Sequence, residues 1–537
     1  MAVLAVFGVL IAAAIAITFS QATRMKVGRA WFTALAGSLL AWLILFFMRL
    51  YLPTDVPLLV WKPENLFFAF PALVLDYSNW PYAVAMLTIC MAVLFTDSTR
   101  AQLAEAPLGW AGTLAITAIN LAAILAGNPF TMALAWGLVD LVELVHLLRV
   151  RSVSLDNTHI VSVYGLRLAS TFALVAATVI GWQVKPQFLL NEIPANAGLY
   201  FLAAAGLRLG VLPLHLPFLD TPELRRSSGL VFRFAPVASA LVLIAWLPAD
   251  FLVLRQYWIT IIQVLAVIAA VYTSGMWLTR KDAYEGRPYW IAALSAFAVQ
   301  CALNNQAGAS RVWGLALILS GGLLFLFDPP IRRIRFLMAF GLWGLVALPF
   351  TPAAGGWDGL VGQGISAAGF FMIISHAMLV LGYLRFIYEG NSTITGLEKH
   401  ARVTYPLGLI LVGQTIVVLG LMAWPGILTL GRWWASVASL AVVLLGGFAF
   451  LKLGARRSLA SLAETMPGYR AVSAFLTGMS SLLSMRWLFS MFGWIFERVE
   501  KGAGYLTNIL EGAGGVLWSV VLLIAMIMLF LARVAVP

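Results

Sequence analysis

The sequence predicts an all-α polytopic membrane protein with about 14–16 transmembrane helices. Three observations predict it. Of 537 residues, 62% are hydrophobic and 10% charged, where soluble chains carry about 25% charged residues. The apolar residues fall into stretches of roughly 20, the length that crosses a bilayer as a helix. Basic residues gather in alternate connections, as the Lys/Arg excess of cytoplasmic loops requires. The net charge of +12 resides largely in those connections and implies no nucleic-acid partner.

In chain order, spans are predicted near 2–20, 29–52, 79–96, 107–126, 130–148, 163–182, 195–212, 228–247, 257–278, 289–304, 312–327, 336–351, 359–388, 405–424, 433–453 and 514–533. Residues 2–20 have no basic run before them, so they read as a first span rather than a cleavable leader. Basic connections follow the first span (Arg24, Lys26, Arg29), the fifth (Arg149, Arg151), the seventh (Arg225, Arg226) and the ninth (Arg280, Lys281, Arg287). Others follow the eleventh (Arg332, Arg333, Arg335), the thirteenth (Lys399, Arg402) and the fifteenth (Arg456, Arg457, Arg470). This alternation places both termini outside the cell membrane. Cys90 and Cys301 lie in apolar stretches and form neither a disulfide frame nor a metal site. No nucleotide loop or cofactor motif occurs, so no catalytic residue, metal or cofactor is predicted for the chain itself.

Ionisable residues inside spans are costly in lipid and are functional candidates by default. The fifth span carries Asp140, Glu143 and His146 at intervals of three, about 60° apart around a helix. The seventh carries Arg208, followed by Pro213, His215 and Pro217. Proline removes a backbone donor and breaks a helix, and broken backbone at membrane depth needs protein or trapped water to satisfy it. A snorkelling arginine at an ordinary helix end is the alternative; for Glu143 and His146 the alternative is solvation near the inner surface. A second break falls at Pro349 and Pro352 in the twelfth span. His376 is an isolated histidine in the thirteenth, where a purely structural role is the alternative. From Met485 to Leu510, apolar residues (Trp487, Met491, Ile495, Val499, Leu506) recur at three and four among Arg486, Glu497, Arg498, Glu500 and Lys501. This is a lateral amphipathic helix, lying on lipid or on partner subunits; Gly512–Gly515 separates it from a final anchor helix.

The run Gly206-Leu-Arg-Leu-Gly-Val-Leu-Pro-Leu-His-Leu-Pro-Phe-Leu-Asp220 resembles the signature of the antiporter-like membrane subunits of respiratory complex I, a family shared with Mrp-type antiporters and membrane-bound hydrogenases. There a lysine stands at the Arg208 position, with proline at +5 and histidine at +7. Similar segments follow the family's order: Phe70–Ser78, Arg280–Ser295 with Gln300, and Gly344–Trp357. The resemblance runs from about 66 to 390. It implies two inverted five-helix repeats, each with a discontinuous helix, and a midplane pathway. It also implies that an acid on the fifth span pairs with Arg208. The family's glutamate position is Gly137 here, so Asp140 is the expected substitute. The eighth-span basic site falls near Phe232, with Arg233 adjacent, and the eleventh-span lysine site is Gly321. Lys26, Lys62, Lys185, Lys281, Lys399, Lys452 and Lys501 all fall in loops or at helix ends. A buried lysine can release a proton, whereas arginine stays charged; Arg208 can hold or release a carboxylate but cannot relay a proton.

Four parts are expected: N-terminal helices 1–65, an antiporter-like core 66–390, further helices 391–480, and the lateral helix with its anchor 481–537. The expected function is an antiporter-like, proton-translocating membrane subunit of a complex-I-related oxidoreductase complex in a prokaryotic inner or plasma membrane, with a degenerate proton relay. Its partners would be other membrane subunits, lipid, and protons or sodium ions. The alternatives are a cation/proton antiporter, the membrane subunit of an inorganic-carbon uptake system, and a non-pumping structural subunit.

Overall fold

A computed structural model describes residues 1–22, 27–58, 70–100, 106–149, 157–185, 188–216, 218, 228–254, 256–280, 283–327, 332–361, 366–389, 401–422, 424, 432–454, 478, 486–511 and 513–534. The chain is an all-α polytopic membrane protein. It divides into two units, Met1–Arg470 and Ala471–Pro537.

The first unit runs α1 (Ala2–Ala22), α2 (Val27–Phe47), β1 (Thr54–Pro57), β2 (Ala72–Leu75), α3 (Trp80–Thr96), α4 (Ala106–Ile124), α5 (Pro129–Arg149) and α6 (Asn157–Trp182). It continues through α7 (Gly198–Leu209), α8 (Ser228–Ala245), α9 (Ala249–Leu254), α10 (Gln256–Thr279), α11 (Ala283–Leu303) and α12 (Ala307–Leu326). The last members are α13 (Met338–Leu345), α14 (Trp357–Leu360), α15 (Ala367–Glu389), α16 (Ala401–Met422) and α17 (Trp433–Gly454). Among the described residues, 8 helices are long and apolar enough to cross a membrane, and α3 and parts of α8, α17 and the final helix are shorter apolar helices.

Each predicted span contains a helix, with local corrections. The span expected at 359–388 is divided: α14 ends at Leu360 and α15 starts only at Ala367. Helix α11 begins at Ala283 and carries Pro288 inside it, in its second turn. Arg287 therefore sits on a helix, 1% exposed, and not in a solvated basic loop. The short helix α9 and the β1–β2 pair were not predicted. Pro217 and the basic connections at 24–26, 150–156, 219–227, 390–400 and 455–477 lie outside the described residues, as does the His146 side chain.

The core of this unit is α3 and α12. Both are apolar all round, the pattern of a helix with no lipid or water face. Every residue of α3 from Trp80 to Leu94 is buried, and 94% of the α12 span is. Glycines let the two approach: a Cβ added at Gly314 would stand 2.1 Å from Tyr82 Oη, and one at Gly322 would stand 2.2 Å from Ile89 Cδ1. Tyr82 is wholly enclosed and cannot retreat. Gly314→Ala should therefore destabilise the purified chain by about 1–3 kcal/mol, the usual cost of overpacking. A melting curve in detergent checks this; an unchanged midpoint would mean that α3 can slide.

At one end of the bundle the connections are laced together. β1 and β2 pair antiparallel, Thr54 opposite Leu75. Leu73 then bridges Ala126, Val74 N–H donates to Leu125 O at 2.8 Å, and Gly127 N–H donates to Ala72 O at 2.8 Å. Leu190 N–H donates to Gly127 O at 3.0 Å. Asp76 starts α3 as a side-chain cap, its Oδ1 accepting from Ser78 N–H at 2.8 Å and Asn79 N–H at 2.9 Å.

The second unit contains α18 (Arg486–Glu511) and α19 (Ala513–Val534). On α18 both the apolar Met491, Trp494, Ile495 and Val499 and the charged Glu497 to Lys501 are exposed. The Arg498 guanidinium lies 4.4 Å from the Trp494 ring centroid.

Candidate functional site: a buried charge cluster at a broken helix

Helix α7 stops immediately after Arg208. Gly210 takes the left-handed conformation, φ 72°, which closes the helix and which glycine adopts without a Cβ penalty. The chain then doubles back. Val211 N–H and Leu212 N–H both donate to Gly206 O, at 3.0 and 3.2 Å, and His215 N–H donates to Gly210 O at 3.0 Å. A Cβ on Gly206 would lie 2.7 Å from Leu212 Cβ, so the fold-back also requires that glycine. The peptide between Leu212 and Pro213 is cis. The break thus satisfies its own backbone, the condition for irregular chain at membrane depth.

Arg208 is 1% exposed and points at α5. Its Nη2 donates to Asp140 Oδ1 at 2.7 Å and its Nη1 to Oδ2 at 3.0 Å. This fork-on-fork pairing is the strongest geometry available to a carboxylate. Nη1 also reaches Ser170 Oγ at 3.3 Å, and Nη2 reaches Trp136 O at 3.4 Å. The guanidinium stacks 4.3 Å from the Trp136 ring centroid, and that indole donates to Ser239 Oγ on α8 at 2.8 Å. Asp140 stands near the middle of α5, so the pair lies at mid-depth of the bundle.

One turn along α5, Glu143 forms a second buried ion pair, with Arg167 of α6. Glu143 is 6% exposed; solvation near a membrane surface, the alternative for this residue, does not describe it. The two pairs are coupled through α6. Ser170 Oγ–H donates to Arg167 O at 2.7 Å while the same oxygen accepts from Arg208. Two acids and two guanidiniums thus share one enclosed volume, and their formal charges cancel.

Arg167 was missed from sequence, although a signal was there. The tetrapeptide Gly165-Leu-Arg-Leu168 repeats Gly206-Leu-Arg-Leu209. It lies near the start of its span, where an arginine ordinarily snorkels.

The remaining predicted residues lie in other packings. His215 is 4% exposed, and its Nδ1–H donates to Pro213 O at 2.8 Å within its own turn. Arg233 on α8 is 2% exposed and stacks 4.9 Å from the Phe218 ring centroid. His376 on α15 is 1% exposed. Its Nε2–H donates to Leu345 O at 2.9 Å, at the end of α13, and its Nδ1 meets Ser439 Oγ at 2.7 Å. Trp313 and Trp357 flank it at 5.5 and 5.0 Å. His376 thereby joins α15 and α17 to the second break. There α13 stops at Leu345, Ala347 and Phe350 have positive φ, and Pro349 and Pro352 lie in the turns that follow.

Gly321 on α12 carries no side chain into the core. A Cβ there would lie 2.7 Å from Trp290 Nε1 and 3.3 Å from Phe234 Cζ. Among the described residues no three His, Cys, Asp or Glu side chains gather as a metal site would need. A cavity of about 330 Å³ opens at the laced end, lined by Phe70, Phe130, Trp182, Lys185, Phe188 and Glu192, away from the charge cluster.

Paired charges at mid-depth beside a broken helix are costly inside a membrane and mark a candidate functional site. Comparison with solved structures specifies the fold. The chain superposes on a chain of the Mrp complex from Dietzia sp. DQ12-45-1b with a TM-score of 0.67 and 15% identity, over 100% of its own length and 63% of that chain. It also superposes on a chain of the membrane-bound sulfane sulfur reductase, an archaeal respiratory membrane complex, with a TM-score of 0.65 and 14% identity, over 97% and 99% of the two chains. It therefore shares its fold with these two chains, and it spans less than two thirds of the Mrp chain. No family model matches the sequence, and no curated protein matches it.

Proposed function

We propose that this chain is an antiporter-like, proton-translocating membrane subunit of a complex-I-related respiratory or ion-transporting assembly. One observation carries the reading: the mid-depth Arg208–Asp140 pair beside the α7 break. A permanent cation can hold a carboxylate or release it, but cannot itself relay a proton. Arg208 would thus act as the switch and Asp140 as the proton carrier, with Glu143, His215 and His376 as further candidates along the path. The fold shared with chains of the Mrp complex and the sulfane sulfur reductase supports this reading.

On this reading the core of 66–390 contains the two inverted repeats, whose discontinuous members are α7 and α13. The stretches 1–65 and 391–480 flank it, and 481–537 lies along neighbouring subunits. The ends carrying Arg280 and Arg332–Arg335 face the cytoplasm of a prokaryote, leaving both termini outside. A second reading, a scaffold that does not pump, is favoured by the glycine at position 321, where the resembling family has its lysine. Asp140→Asn in the assembled complex separates the two. Respiration-driven acidification should fall to background with the complex still assembled on a native gel. Undiminished pumping would rule out Asp140 as the carrier and favour the scaffold.

A further inference from the structure

We infer that the half of the bundle opposite the charge cluster is closed to water by a layer of aromatic rings centred on Trp290, and that Gly321 exists to make room for that indole. The inference deepens the proposed function, on which it rests for what the closure means: ions do not leave by the end of the bundle where α12 and α15 finish.

The layer draws one ring from each of several helices at the same end of the bundle. Trp290 comes from the opening turns of α11, Trp277 from the last turn of α10, Phe325 from the last turn of α12, Phe234 from the second turn of α8 and Tyr383 from the later half of α15. All are at most 1% exposed. Trp290 meets Trp277 edge-on at 5.5 Å and Tyr383 at 5.8 Å. Phe234 and Phe325 stack at 5.4 Å with their planes 14° apart. The two groups meet the same glycine: a Cβ at Gly321 would lie 2.7 Å from Trp290 Nε1 and 3.3 Å from Phe234 Cζ, so both rings fill the space its missing side chain leaves. Other glycines admit the neighbouring rings: a Cβ at Gly382 would strike Trp277 Nε1 at 2.3 Å, and one at Gly341 would strike Tyr383 Oη at 2.1 Å.

The polar edges of the outer rings are turned to backbone. Trp277 Nε1–H donates to Leu379 O at 3.3 Å, and Tyr383 Oη–H donates to Met338 O at 3.2 Å. Among the described residues Trp290 Nε1 has no hydrogen-bond partner. Aromatic rings in contact leave no gap for a file of waters, and without one an ion meets hydrocarbon. His376, near mid-depth on α15, is therefore cut off from the end of the bundle where α12 and α15 finish.

The full chain, reconstituted into liposomes with a trapped pH-sensitive dye, tests the closure without any driving reaction. The wild type should hold an imposed pH gradient. Trp290→Ala should dissipate it severalfold faster, and Trp290→Phe, which keeps a ring, should hold it as the wild type does. A Trp290→Ala protein that elutes as the wild type and stays equally tight overturns the inference. Should that variant fail to fold, hydroxyl-radical footprinting of the wild type decides: oxidation of Trp290 and Tyr383 in native membranes overturns the closure, and their protection upholds it. Neither readout depends on pumping, so a chain that never translocates protons can still pass, and loss of pumping in Asp140→Asn does not touch it.

Discussion

Arg208→Gln should cost the folded chain about 3–5 kcal/mol, the penalty for leaving one partner of a buried ion pair without the other. The effect is read as a drop in the midpoint of a detergent melting curve. Asp140 has no access to solvent, and both of its carboxylate oxygens are committed to the lost guanidinium. Adding Asp140→Asn to Arg208→Gln should recover much of the loss, because an amide pair at that spacing is neutral. Arg208→Lys should fall between, since an ammonium keeps the charge but cannot reproduce the two parallel bonds or the stacking on Trp136. If the single substitution were silent, the pair would contribute nothing to holding α5 against α7.

Arg167→Gln should be the next most damaging change, by the same reasoning applied to Glu143. The larger point is coupling. Ser170 accepts from Arg208 and donates to the Arg167 carbonyl, and both acids stand on one face of α5. The cost of Arg167→Gln combined with Arg208→Gln should therefore depart from the sum of the two by about 0.5–3 kcal/mol, the range for residues in one network. A double-mutant cycle measured by chemical unfolding gives this number. Strict additivity would mean two independent ion pairs that merely sit close, and the idea of a single four-membered unit would fail.

Much of the fold was legible because the bilayer imposes one simple rule, a long apolar run for every crossing. The start of α15 was not, since Leu360, Val361 and Ile365 carry the apolar run across and only Asp358, Gln363, the glycines and the preceding prolines mark the interruption. The α11 start was misplaced because Lys281, Asp282, Glu285 and Arg287 read as a hydrophilic loop. In the structure Arg287 instead lays its guanidinium 5.0 Å from the Phe325 ring centroid and its Nη2 donates to Phe325 O at 3.5 Å. Within the site, the Asp140–Arg208 contact was legible through resemblance and helical spacing together. Arg167 was not: pairing between α5 and α6 depends on the rotation of each helix about its axis, which periodicity in so apolar a sequence barely constrains. The closure around Trp290 was hidden for another reason. A glycine announces a close approach but not the side chain that arrives there.

The lacing of β2 to residues 125–127 has a bearing on how the chain is made. Val74 N–H and Ala72 O find their partners only in a stretch that the ribosome delivers after α4 is complete, and Leu190 attaches later still. Until then this edge of the hairpin has no partner in the part of the chain already made. The connections after α2, α4 and α6 are thereby joined in chain order, and the first two joints involve only residues made before the charged members of α5 and α6.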